Sequence, residues 1–309
     1  MLPPKACQHL SHAVMEKRDG GDGSRGVMKV ATLGFLAGCM AYHVLSSLSH
    51  DGAPNVALAT LHASRAHPDE DSWKCVSMYR GRPKDPNLGA EKASQVGQDA
   101  TILDIFRHKR HGTFLDLAAN DAIALSNSLV LEQRYEWKGI CVEPNPIYAE
   151  GYLHRTCHLV QAVVGPREDV RVDFNFRGTG RVGAHGGIAG FDNKAGQSNE
   201  TASHYTVPVA KVLHDFGMPR TIDYMSLDIE GAEAWTFETF PWDTYTFLTI
   251  TVERPKPELK DMMLANGYTH LCNHGGFGDE LWVHEALPHF HEVVRKYAGR
   301  QDCRKEPRS

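Results

Sequence analysis

From residue 94 onward, apolar runs of strand length alternate with stretches in which apolar residues recur every three or four positions. The strand-length runs cover 113–118, 139–143, 158–164, 222–228 and 247–253. They are nearly continuous rather than alternating, as in strands buried on both faces. The spacing between them predicts helices over 100–107, 126–135, 147–155, 209–216, 232–240 and 258–266. Two further runs, 268–272 and 280–283, are close enough to pair as an antiparallel edge hairpin. This alternation implies an α/β domain, a mostly parallel sheet with helices on both faces. Residues 178–203 interrupt the pattern with an irregular, Gly-rich insertion, and loops of that kind carry specificity.

The first third has a different texture. Residues 30–48 are nearly uncharged and close to the length of a membrane span. The leader before them is too long for the n-region of a cleaved signal peptide, although Ala57-Leu58-Ala59 resembles a cleavage site. Lys17, Arg18, Arg25 and Lys29 precede the run and only Arg65 closely follows, a bias that keeps the N-terminus cytosolic. The expected organisation is a cytosolic tail over 1–29, a transmembrane signal-anchor helix over 30–48 and a Pro-punctuated stem over 49–93. A globular domain over 94–288 and a C-terminal tail over 289–309 follow. That describes a single-pass type II membrane protein of the secretory pathway, in the endoplasmic reticulum or Golgi, with its domain lumenal. The sequon Asn199-Glu200-Thr201 fits a lumenal loop. Seven cysteines without regular spacing argue against a zinc module. Cys75, Cys141, Cys157, Cys272 and Cys303 would be lumenal and could form one or two disulfides, whose pairing the spacing does not fix.

Composition narrows the class. A chain of 309 residues, 41% hydrophobic and 23% charged, supports one large domain with appendages. A net charge of −5 leaves no polycationic surface, which argues against a nucleic-acid partner.

Candidate chemistry gathers where strands end. The stretch Tyr224-Met225-Ser226-Leu227-Asp228-Ile229-Glu230-Gly231-Ala232-Glu233 reads as a buried strand ending in acid, a turn on Gly231 and a helix start. Open α/β sheets bind ligands at such ends, and acids there are costly unless they face a cleft or a partner. The competing reading makes Asp228 a helix cap and leaves Glu233 facing solvent. Asp116 ends the first strand, in Asp116-Leu117-Ala118-Ala119-Asn120-Asp121-Ala122, placed either to bind an ammonium group or to satisfy turn amides. Glu143 ends the second strand and suits a ribose diol. Gln161-Ala162, after the third, would lie beside an adenine. Neither G-x-x-x-x-G-K-[ST] nor a G-x-G-x-x-G after the first strand is present, so nucleotide phosphates lack their usual seat. Strand-end acids without a phosphate loop suit a ligand with hydroxyls and a cationic centre, and S-adenosylmethionine has both.

Six ordered motifs then resemble one family. Ser94-Gln95-Val96-Gly97-Gln98-Asp99, the segment 114–121, and Leu125-Ser126-Asn127-Ser128 with Leu131-Glu132 are the first three. The segments 137–145 and 223–233 and Thr251-Val252-Glu253 complete the set. Over about 94–285 the chain looks like an FkbM-type methyltransferase. The resemblance implies the Rossmann-like seven-stranded methyltransferase sheet, S-adenosylmethionine as donor, and O-methylation of a hydroxyl on a small-molecule or glycan acceptor. By position, Asp116, Asn120 and Glu143 would hold the cofactor, Gln95, Gln98 and Asn127 would shape its site, and Asp228, Glu230 and Glu253 would face the acceptor. The family has glycine where this chain has Ala118 and Ala122, and glycine permits close backbone approach and unusual φ values.

Asp228 is the first choice for a base that takes the acceptor proton, with Glu253 second. Converging acids would raise at least one pKa, or admit a divalent cation, Mg²⁺ or Ca²⁺, as a compatible but not required cofactor. His185 and His274 are spare bases. A rival reading makes the domain catalytically inactive, resembling the Star-type secretory-pathway proteins, with a role in cargo handling or glycan binding.

Overall fold

The structure, a computed structural model, describes residues 29–33, 40–48, 54–66, 73–85, 94–177, 185–191 and 200–305. The chain divides into two compact units, Met1–Arg80 and Gly81–Ser309. The first contains β1 (Lys29–Leu33), β2 (Met40–Leu48), β3 (Pro54–Ala66) and β4 (Trp73–Tyr79), each antiparallel to the next. The expected anchor over 30–48 is therefore strand wherever it is described. Val30, Thr32, Tyr42 and Val44 favour extended backbone, and cross-strand pairing supplies the hydrogen bonds a helix would make internally. Among the described residues no helix is long and apolar enough to cross a membrane. The expected stem contributes β3 and β4 instead of a linker. The sequon asparagine, Asn199, lies outside the described residues.

The second unit opens with α1 (Gln98–Ile105), β5 (Thr113–Leu117), α2 (Leu129–Tyr135), β6 (Lys138–Val142) and β7 (His158–Gln161). Then come β8 (Val163–Val164), β9 (Arg171–Arg177), β10 (His185–Ile188), β11 (Glu200–Val207), α3 (Val209–Asp215), β12 (Thr221–Leu227) and α4 (Glu233–Phe237). It closes with β13 (Thr246–Glu253), α5 (Pro257–Ala265), β14 (Tyr268–His274), β15 (Asp279–His284) and α6 (Phe290–Tyr297). Its main sheet runs β7-β6-β5-β12-β13-β15-β14. The first five are parallel, and β15 is antiparallel to both β13 and β14. This is the expected mostly parallel, seven-stranded sheet with its antiparallel edge hairpin. Phe114, Leu115, Ile140, Met225 and Ile250 are fully buried within it, as strands covered on both faces require.

Four parts of this unit depart from expectation. The run 158–164 breaks at Ala162: β7 stays in the main sheet, while β8 pairs with β11 in a second sheet of order β10-β9-β11-β8. Where the expected insertion over 178–203 is described, 185–188 and 200–203 are strand, and Phe174 of β9 and Ile188 pack with Val163 and Ala232. Residues 147–155 form two 3-10 turns rather than a helix, with Asn145 capping the Ile147 N–H beside Pro146. The expected C-terminal tail folds as α6 and is tied to β14 by the disulfide Cys272–Cys303. A second disulfide joins Cys141 to Cys157.

Candidate active site

Four parallel strands deliver their C-terminal ends to one edge. Asp116 stands opposite Ser226, Leu117 opposite both Leu227 and Val142, and Leu227 opposite Val252. Ala118, Glu143, Asp228 and Glu253, at or just past these ends, therefore share one level. The antiparallel β15 adds another carboxylate, because Asp279 pairs with Glu253.

Asp116 is buried and accepts a hydrogen bond from the Ser128 hydroxyl at 2.6 Å. Burial pushes its carboxyl up, and the Ser128 bond and the Arg155 charge pull against that. Arg155 itself is fully buried. It donates to Glu132 at 3.0 Å, to the Ala122 carbonyl at 2.6 Å, to Ser126 at 3.2 Å and to Ser128 at 3.0 Å. Glu132 also accepts the Thr156 and Cys157 N–H groups. A buried ion pair with these extra bonds is costly to break on one side, about 3–5 kcal/mol, so this arginine fixes the serine that orients Asp116. The sequence gives no sign of it: Arg155 ends a predicted helix where a surface arginine is ordinary.

Glu143 accepts the backbone N–H of Asn120 and of Asn145, both at 2.8 Å. Burial outweighs those bonds and raises its carboxyl to about 7. Asn120 folds its amide oxygen onto the Asp121 N–H at 2.8 Å, and Tyr152 donates to the Asn120 carbonyl at 3.1 Å. Several non-glycine residues here have left-handed backbones: Ala118 (φ 56), Asn120 (φ 54), Leu125 (φ 61), Glu230 (φ 54) and Arg254 (φ 44). Strain of this kind concentrates at functional sites. Ala118 thus holds the conformation that glycine would take, whereas Ala122, without a positive φ, is packed in the core.

Asp228 and Glu253 line the same compartment. Burial, then Glu253, drives the Asp228 carboxyl well above its usual range. Arg254 sits outside the pair, 2.6 Å from Glu253 and 3.8 Å from Glu230. Glu233 is buried, not solvent-facing, and accepts the N–H groups of Ile229 (3.2 Å) and Gly231 (3.0 Å). It braces the turn that presents Asp228 and Glu230. Gly231 is required there: its φ is 97, and a Cβ would lie 2.8 Å from the Phe191 carbonyl.

Three small compartments share Ala118 in their walls. One of about 30 Å³ is apolar, formed by Val142, Ala162, Val163, Phe174 and Ile188. A second, about 50 Å³, has Glu143, Asn145, Tyr148, Asp228 and Glu230. The third, about 110 Å³, collects Gln95, Gln98, Asp116, Asn120, Asn127, Asp228, Glu253 and Asp279. A larger depression of about 540 Å³ lies at the opposite edge, around the starts of β5, β6 and β7, away from these carboxylates.

Residues 116–275 match the family described as Methyltransferase FkbM domain. The chain belongs to the FkbM methyltransferase family. No curated protein matches it. Among solved structures, precorrin-6y C5,15-methyltransferase from Geobacter metallireducens GS-15 is similar at 10% identity and a TM-score of 0.33, over 65% of this chain and 90% of that one.

An FkbM methyltransferase domain implies S-adenosylmethionine, and the residues present suit it. Apolar, carboxylate-bearing and polar compartments follow one another along the strand ends. Asn127 Oδ1, Asp228 Oδ1 and Asp279 Oδ1 are buried without a hydrogen-bond partner and line the third compartment. Of the expected cofactor residues, Asp116, Ala118, Asn120, Glu143 and Ala162 converge in this FkbM cleft. Gln95 is exposed at its rim. Gln98 accepts the Val96 N–H and donates to Asp279, while Asn127 donates to Ser226 at 3.0 Å. Among the described residues no three His, Cys, Asp or Glu side chains are arranged to hold a metal ion, so the divalent cation finds no geometry here. His274 is fully buried and pushed down to about 4 by desolvation, and it lines none of the three compartments. Of His185 only the backbone, in β10, is described. Asp279 escapes sequence reading because it merely precedes the last apolar run.

Proposed function

We propose that this chain is an S-adenosylmethionine-dependent methyltransferase that methylates a hydroxyl oxygen of a glycan or small metabolite. The observation that carries the reading is the Asp228–Glu253 carboxyl pair, with an orphaned Asp228 oxygen in the compartment that also holds Asp116. The cofactor, when bound, supplies an activated methyl group on a sulfonium sulfur. The apolar compartment suits its adenine, Glu143 its ribose diol, and Asp116 with Asn127 its methionine end. Asp228 takes the acceptor proton as the C–O bond forms, and the electron pair of the broken C–S bond stays on sulfur. Burial and the neighbouring Glu253 raise the Asp228 carboxyl, which makes its ionised form a stronger base for that proton. Asp228→Asn should lower methyl transfer from labelled cofactor by about 10²–10⁴-fold while S-adenosylhomocysteine still binds. Undiminished transfer would remove Asp228 from this role. The two disulfides favour an oxidising, lumenal or extracellular setting.

A second reading rests on Ala118, whose methyl group occupies a left-handed position at the meeting point of all three compartments. In it the cleft no longer takes the cofactor and the domain acts as a binding module in the secretory pathway. Calorimetry with S-adenosylhomocysteine separates the two readings, since no heat at millimolar ligand supports the second.

A further inference from the structure

The compartment lined by Asp228, Glu253 and Asp279 holds more carboxyl groups than methylation of a hydroxyl uses. Asp279 is only 7% exposed. Its Oδ2 accepts the Gln98 amide at 2.8 Å, and its Oδ1 has no hydrogen-bond partner. Asp228 and Glu253 line the same compartment, and Asp228 Oδ1 is orphaned too. Arg254 is half exposed and engages Glu253 and Glu230. Among the described residues no cation forms an ion pair with Asp228 or Asp279. An acceptor hydroxyl has one proton, and on the reading above Asp228 takes it. Asp279 Oδ1 therefore needs a separate donor, because buried acceptors are normally satisfied. A second hydroxyl would supply a hydrogen bond but no charge. A protonated amine supplies three donors and a positive charge to a cluster of acids.

We propose that Asp279 is a specificity-determining residue that receives a protonated amine of the acceptor, so that the acceptor class is amino alcohols, amino sugars included. This rests on the methyltransferase reading.

The test is calorimetry on the full chain with two probes. One is S-adenosylhomocysteine; the other is the S-adenosylmethionine analogue with a protonated amine in place of the sulfonium methyl. That amine places its N–H donors where the methyl group would meet the acids. The analogue should bind wild type at least about tenfold more tightly than S-adenosylhomocysteine, as a charge-assisted hydrogen bond allows. In Asp279→Asn and Asp279→Ala that advantage should fall below about threefold, with S-adenosylhomocysteine affinity unchanged. Equal affinities in wild type, or an advantage intact in both variants, would overturn the proposal. Loss of S-adenosylhomocysteine binding in both variants would overturn it too, by making Asp279 a support of the cofactor site. Mg²⁺ alone binding wild type but neither variant would reassign Oδ1 to a metal. Wild type that binds neither probe overturns the methyltransferase reading itself.

Discussion

Glu143 shows how burial and ligand chemistry meet in one side chain. Its carboxyl stands near about 7 in the folded chain against 4.5 as the ordinary value. The folded state therefore holds a proton that the unfolded chain has released between those values. Its stabilising contribution is complete below 4.5 and is lost as the pH rises through about 7. A ribose diol donates hydrogen bonds and so favours the ionised form. S-adenosylhomocysteine affinity should accordingly rise roughly tenfold from about pH 6 to 8, and Glu143→Gln should flatten that profile in calorimetry. Ala118 gives a second outcome at this scale. Its left-handed backbone costs about 1–2 kcal/mol, against roughly 0.5–1 kcal/mol of added unfolded-state freedom when glycine replaces it. Ala118→Gly should therefore raise the denaturation midpoint modestly and tighten binding. The acids at the strand ends were legible in the sequence because an apolar run ending in Asp or Glu is locally costly. Arg155 and Asp279 were not, since each acts through partners far away in the chain, and Ser128 stood in a motif that did not show its bond to Asp116.

Among the elements, parallel strands were legible as continuous apolar runs, whereas their order in the sheet came from the structure. What local pattern did not convey was the break at Ala162, where one run feeds two sheets. A strand changes sheets because of what it meets in space, and nothing in 158–164 encodes that. Glycines over 178–203 likewise suggested irregular loop, yet β10 and the start of β11, which both pair with β9, fall there. Phe174 of β9 and Ile188 of β10 wall the apolar compartment, so this sheet forms part of the cleft. Each compartment is well below the roughly 300 Å³ at which ligand pockets usually begin. On the proposed adenine site, cofactor binding acts directly on this sheet. Hydrogen exchange over 171–177 and 185–188 should slow at least about fivefold when S-adenosylhomocysteine is added, while 268–274 stays unchanged. Equal slowing at both places would point to general stabilisation instead.

Taken whole, the second unit is closed by two covalent ties that residue spacing alone left open. Cys141–Cys157 joins β6 to the segment that carries Arg155, and Cys272–Cys303 fastens the end of the chain to β14. Loops of these lengths are each worth about 3 kcal/mol through the unfolded chain. Reduction should lower the unfolding free energy by several kcal/mol, about 3 per bridge, as read by urea melts with and without dithiothreitol. Cys272→Ser with Cys303→Ser should reproduce its own share alone.

The second sheet draws all its strands from one contiguous stretch, β8 through β11, lying between the third and fourth parallel strands of the main sheet. Changes within that stretch therefore reach the apolar compartment that Phe174 and Ile188 wall, while the pairing of β12 with β5 is made by other strands.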